Sequence, residues 1–161
     1  MVVTEAYPIF AFERDFAGDL RCIPMIARFK LDQCGIKLSL RQWSRFDHAE
    51  RDELARGACT NPAEIAAYRD RLARLIEVRA GETPVSLPPV DDSEWNDPAA
   101  LPERIADRAR LLGLPTPDRA CWADLSPLQR FALFKLTRPG HDNDNFEPAL
   151  REFGLIPAEA G

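Results

Sequence analysis

An all-α fold is predicted for this 161-residue chain by three observations. Apolar side chains recur at helical spacing in segment after segment, most clearly at Ile65, Tyr68, Leu72, Leu75 and Ile76. Helix-starting residues (Ser39, Asp47, Asn61, Ser126, Asn145) and helix-stopping glycines (Gly35, Gly113, Gly154) bracket those segments. No stretch beyond residue 15 or so alternates apolar and polar side chains as a half-buried strand does. The predicted architecture is one compact domain, residues 1–161, of about six to seven helices behind an extended N-terminal segment.

The elements follow in order. "YPIFAFERDFAGDL" reads as extended chain that lays aromatic side chains over a helical core. In "RCIPMIARFKLDQCG", Ile26, Phe29 and Gln33 keep helical spacing, and Pro24 falls in the first turn, where its missing amide has no intrahelical partner to lose. Gly35 ends that helix as a left-handed C′ residue. "SLRQWSRF" carries the capping-box pair Ser39 and Gln42, and Asp47 with Glu50 repeats the pair ahead of "HAERDELARG". Asn61 and Pro62 open the longest helix, "PAEIAAYRDRLARLIEVRAG", whose apolar stripe lies opposite Arg69, Arg71, Arg74 and Glu77.

Residues 82–98, most of them "ETPVSLPPVDDSEWND", have neither period and read as an ordered crossover anchored by Val85, Leu87, Val90 and Trp95. Helices resume in "LPERIADRARLLG", in "PLQRFALFKLTR" after Ser126, and in "FEPALREFG" after Asn145.

Composition narrows the function. The chain is 45% hydrophobic and 29% charged, with a net charge of −5 and a pI near 5.1, which argues against a general nucleic-acid binder. Only three of its 21 basic residues are Lys, so a local guanidinium surface stays open as a docking feature. Apolar runs fall short of the roughly 20 residues that span a bilayer. "MVVTEAYPIF" has neither the basic nor the apolar part of an export signal, so a cytoplasmic location is expected. The four cysteines, Cys22, Cys34, Cys59 and Cys121, form no C-x-x-C pair and are expected to be reduced and mostly buried.

The chain echoes itself. "WSRFDHAERDEL" (43–54) and "WADLSPLQRFAL" (122–133) align without a gap, matching Trp43 with Trp122, cap Asp47 with Ser126, Glu50 with Gln129, Arg51 with Arg130 and Leu54 with Leu133. Helix capping alone accounts for the Asp/Ser and Glu/Gln matches, but not for Trp or Arg. Duplication would make residues 20–81 and 99–155 two related three-helix units, and would have both Arg side chains pair with carboxylates or helix-end carbonyls. The first unit then joins its last two helices through "GACT", the second through "TRPGHDND".

That polar loop is the candidate site: Arg138, His141, Asp142, Asn143, Asp144 and Asn145. It fits a docking surface, and equally a turn in which Asp142 and Asn143 form Asx turns and Asn145 caps a helix. A calcium loop is disfavoured because Phe146 occupies the next alternate position. Zinc or iron would need His141 joined by Cys121, Cys22 or His48 without any spacing motif. Cys22, beside Arg21 at the start of a predicted helix, is the candidate reactive thiol. Motifs of nucleophilic or phosphate-binding enzymes are missing, and catalysis is not expected.

The strings "FERDFAGDLRCIPMIARFKLDQCGIKLSLRQW" and "LQRFALFKLTRPGHDNDNFEPALREFGL" resemble the nitrate reductase associated protein family, small bacterial proteins encoded beside assimilatory nitrate reductase. The resemblance runs from about Phe10 to Leu155 and is thinnest between Glu82 and Asp118. It implies a factor needed for active nitrate reductase, acting in maturation or assembly, with no cofactor of its own. Its partner would be nitrate reductase or one of the proteins that deliver the reductase's cofactors. No family catalytic residue carries over. The alternative is a small metal- or iron–sulfur-handling protein that uses Cys22, Cys121 and His141.

Overall fold

The structure, a computed structural model, describes residues 7–88, 92–138 and 144–158. It is predominantly helical and divides into two compact units, Met1–Val90 and Asp91–Gly161, with the boundary inside the predicted crossover.

The first unit begins with a 3-10 turn, Ala11–Glu13, and a short helix α1, Arg14–Ala17. There follow α2 (Met25–Cys34), strand β1 (Ile36–Lys37), α3 (Leu40–Arg45), α4 (His48–Arg56) and α5 (Pro62–Leu75). A π-helical turn, Ile76–Ala80, continues α5, and strand β2 (Val85–Ser86) closes the unit. The core gathers Leu20, Trp43, Phe46, Leu54, Leu72 and Ile76. Three N-termini are fastened by complete capping boxes, Ser39 with Gln42, Asp47 with Glu50 and Asn61 with Glu64. Helix α2 has Pro24 as its N-cap, which offers no side-chain oxygen. Buried Glu13 takes over, accepting from the Met25 amide at 2.9 Å and, through its other oxygen, from the Phe10 amide at 3.1 Å.

At the far end of α2, Gly35 turns the chain at φ 72°. The next residues pair antiparallel with β2, Ile36 opposite Ser86 and Lys37 opposite Val85. Arg69 of α5 locks this junction, donating to the carbonyls of Cys34 and Gly35 and to the Ser86 hydroxyl.

The second unit holds a 3-10 turn, Asp92–Glu94, then α6 (Glu103–Leu111), α7 (Arg119–Asp124), α8 (Pro127–Lys135) and α9 (Phe146–Glu152). Helix α8 is its centre, with Arg130, Phe131, Ala132, Leu133 and Phe134 all buried. Trp95 meets Phe131 edge to face at 5.5 Å between ring centroids. Both α6 and α9 end in Schellman motifs. The Leu114 amide reaches the Ala109 carbonyl past Gly113 (φ 70°), and the Leu155 amide reaches Leu150 past Gly154 (φ 80°).

Several expectations are corrected. Residues 11–17 wind into helical turns where extended chain is predicted, because Glu13 must reach the start of α2. Nine α-helices lie among the described residues, the surplus over six to seven coming from pieces such as α1 and α7 that are too short for periodicity to reveal. The β1–β2 pairing, two residues on each side, is likewise below what alternation can signal. Trp95 is the buried anchor of the crossover and Leu87 is half-buried, whereas Val85 is exposed and Val90 lies outside the described residues. Cys34 and Cys59 are buried, but Cys22 and Cys121 are only partly covered. Among the described residues no helix is long and apolar enough to cross a membrane.

Candidate functional site

The two Trp-bearing segments fold alike. Trp43 sits in α3 and Trp122 in α7, and both rings are wholly buried. Each short helix is left through an extended residue, Phe46 (φ −79°, ψ 146°) or Leu125 (φ −68°, ψ 151°), directly into a capped helix. Asp47 and Glu50 exchange reciprocal bonds of 2.8 and 2.9 Å, and Ser126 and Gln129 exchange bonds of 3.2 and 2.8 Å. The Trp43 indole donates to the Leu20 carbonyl at 2.8 Å, and the Trp122 indole to the Asp97 carbonyl at 3.0 Å.

Arg51 donates from Nε to the Trp43 carbonyl and from Nη2 to Ser44, both at 3.1 Å. Arg130 donates from Nη1 to the Leu125 carbonyl at 2.6 Å and from Nη2 to Asn96 Oδ1 at 3.4 Å. Both guanidinium groups therefore end on carbonyls at the close of the preceding short helix, where partial negative charge gathers. The planar fork reaches two acceptors at once, which an ammonium on a flexible stem does poorly.

After these corners the units diverge. In the first, residues 57–60 lead to Asn61, whose side chain accepts from the Glu64 amide at 2.9 Å. In the second, α8 runs on through Leu136, with the Thr137 hydroxyl donating to the Phe134 carbonyl at 2.6 Å and the Arg138 amide to Lys135 at 3.2 Å. Arg138 and Asp144 are exposed. His141, Asp142 and Asn143 lie outside the described residues. Asn145 occupies the N-cap position of α9, but its backbone is helical (φ −97°, ψ −5°) and its side chain makes no capping bond. The expected Asn145 cap is thus not formed, because a cap side chain reaches back to the first-turn amides from an extended backbone.

Cys22 does not lie on the first turn of a helix, since α2 begins three residues later at Met25. Its neighbour Arg21 donates to the Asp15 carbonyl at 3.0 Å. The dipole argument for a reactive Cys22 thiol therefore loses its structural basis. Burial raises the Cys34 thiol above its ordinary value and raises Cys59 to about 11, which keeps both protonated at neutral pH. Beside them Lys30 donates to the Ala55 carbonyl at 2.6 Å, and burial lowers its pKa. Among the described residues no group of three or more His, Cys, Asp and Glu side chains is placed to hold a metal ion.

Many arginines that look like surface charges in the sequence are committed within their own unit. Arg51, Arg69 and Arg130 hold carbonyls, Arg71 grips Glu53 in a two-point pair at 2.6 and 3.1 Å, and Arg79 pairs with Glu50 at 3.0 Å. The Glu53–Arg71 pair rims a cleft of about 290 Å³ between α4 and α5. Its floor is apolar, and the one hydroxyl there, on Tyr68, is spent on the Leu54 carbonyl at 2.8 Å. Sequence periodicity did not distinguish the carbonyl-holding arginines from solvated ones; only the Trp-centred alignment singled out Arg51 and Arg130.

No curated protein and no solved structure matches this chain. A family model does match, over residues 9–153, so both corners and the connection after α8 fall within it. The chain belongs to the conserved nitrate reductase-associated protein family.

Proposed function

We propose that this chain is a non-catalytic accessory protein of the cytoplasm that assists the biogenesis or assembly of assimilatory nitrate reductase. It does so by binding the reductase or one of its cofactor-delivery proteins. The family match over residues 9–153 carries the link to nitrate reductase.

The docking surface is assigned to residues 138–145. Its support is the contrast between the two corners, which share their Trp, cap and Arg arrangement but continue differently. Four residues, 57–60, make the first connection, while the second adds Arg138, His141, Asp142, Asn143 and Asp144 ahead of Asn145. Extra polar residues lengthen a loop at an entropic cost without adding to the core, and loops borne on rigid scaffolds are where binding residues collect. The net charge of −5 suits a protein partner better than a nucleic acid.

The test is the double variant H141A/D144A in the full chain. It is expected to fold, to melt within a few degrees of the parent, and to fail to restore nitrate reductase activity in a deletion strain. Full restoration would overturn docking by this loop, and loss of folding would make the loop structural.

A further inference from the structure

The π-helical turn at the end of α5 changes which side chain faces α4. Side chains advance about 100° per residue in an α-helix, so seven residues bring a position back to within about 20° of its starting face. Counting from Arg71, which pairs with Glu53 of α4, continuous α-winding would place Val78 on that face and turn Arg79 about 80° away. The π-turn, Ile76–Ala80, bonds i to i+5 and advances only roughly 80° per residue, which brings Arg79 round to the face of Arg71. The contacts match. Arg79 lies 3.0 Å from Glu50 and 3.6 Å from Asp47, both at the start of α4, while Val78 is 69% exposed.

We infer that residues 75–81 form a two-register element. In one register π-winding presents Arg79 to Glu50 and leaves Val78 in water; in the other, α-winding presents Val78 to α4 and releases Arg79. π-winding is rare because its wider turn packs less well, so something must favour it here. Glu50 supplies the reason, being a buried residue whose carboxylate already closes the Asp47 capping box and needs a cation beside it. Gly81 makes the exchange feasible. It ends the turn at φ 66° with open space where a Cβ would stand, so one residue of winding can be taken up there without moving a packed neighbour.

Two variants of the full chain test this by solution NMR and thermal melting. R79M removes the cation and keeps the stem. The Val78 methyl groups, 69% exposed in the parent, are then expected to show cross-relaxation to Glu50 or Leu54. A Val78 that stays solvent-exposed in folded R79M would overturn the inference. Should R79M fail to fold, deletion of Val78 decides. It places the arginine at the α-helical position facing Glu50, so the variant is expected to melt at or above the parent and to lose the i to i+5 bonding. A melting point well below the parent's would sink the two-register account.

Discussion

Leu20 holds its backbone at φ 63° and offers its carbonyl to the Trp43 indole at 2.8 Å. A left-handed conformation costs a residue with a side chain about 1–2 kcal/mol. The cost is sustained because Leu20 is itself buried and its carbonyl receives a second donor, Arg51 Nη1, at 3.4 Å. Trp43→Phe should leave that carbonyl with the longer bond alone. We expect a loss of about 1–3 kcal/mol in urea unfolding. A loss below about 0.5 kcal/mol would show that Arg51 satisfies Leu20 unaided.

Arg51 and Arg130 do equivalent work at different depths. Arg130 is 6% exposed and has no carboxylate among its bonds, whereas Arg51 is half-buried. A single ammonium gives up contacts at both sites, but an acceptor stranded at the deeper one has less water to replace the lost donor. Arg130→Lys should cost about 1–3 kcal/mol and Arg51→Lys less than about 1 kcal/mol. Equal effects in parallel denaturant titrations would count against burial as the deciding factor.

Alkaline pH should loosen the first unit. Burial raises Cys34 and Tyr68 above their ordinary values and takes Cys59 from 9.0 to about 11. The folded chain thus keeps protons that the unfolded chain gives up. The stability this represents is complete below about pH 9 and is lost as pH rises through about 11 for Cys59. Lys30, lowered by burial, acts in the opposite direction and blunts the fall. Melting temperatures should hold level to about pH 8.5 and then drop, less steeply for Cys59→Ala. Identical slopes for parent and variant would remove Cys59 from the explanation.

How far the sequence could be read depended on where each interaction closes. Capping boxes close within three residues, so Ser39, Asp47, Asn61 and Ser126 announced their helices. Asn145 has the right residue type but the wrong backbone, and residue type alone cannot report φ and ψ. Arg69 reaches carbonyls more than thirty positions away, and only the packing of α5 against α2 brings them together. The π-turn was hidden because Val78 fits a helical stripe as well as any apolar residue; Glu50, on another helix, decides against it. Of the candidate loop, the sequence supplied the polar composition, and the structure describes the exposed ends at Arg138 and Asp144.

Pro24 leaves α2 without a cap of its own, and Glu13 supplies one. The carboxylate that receives the first amide of the helix belongs to a residue twelve positions upstream, and the same group fastens Phe10. The N-terminal turn and α2 must consequently form and open together, as one cooperative unit rather than a helix with a loose tail. Hydrogen exchange at the Met25 amide therefore becomes a remote reporter on the chain around Phe10. A tag or cleavage that disturbs residues 10–13 should be felt at the entrance of α2 before it is felt anywhere nearby in sequence.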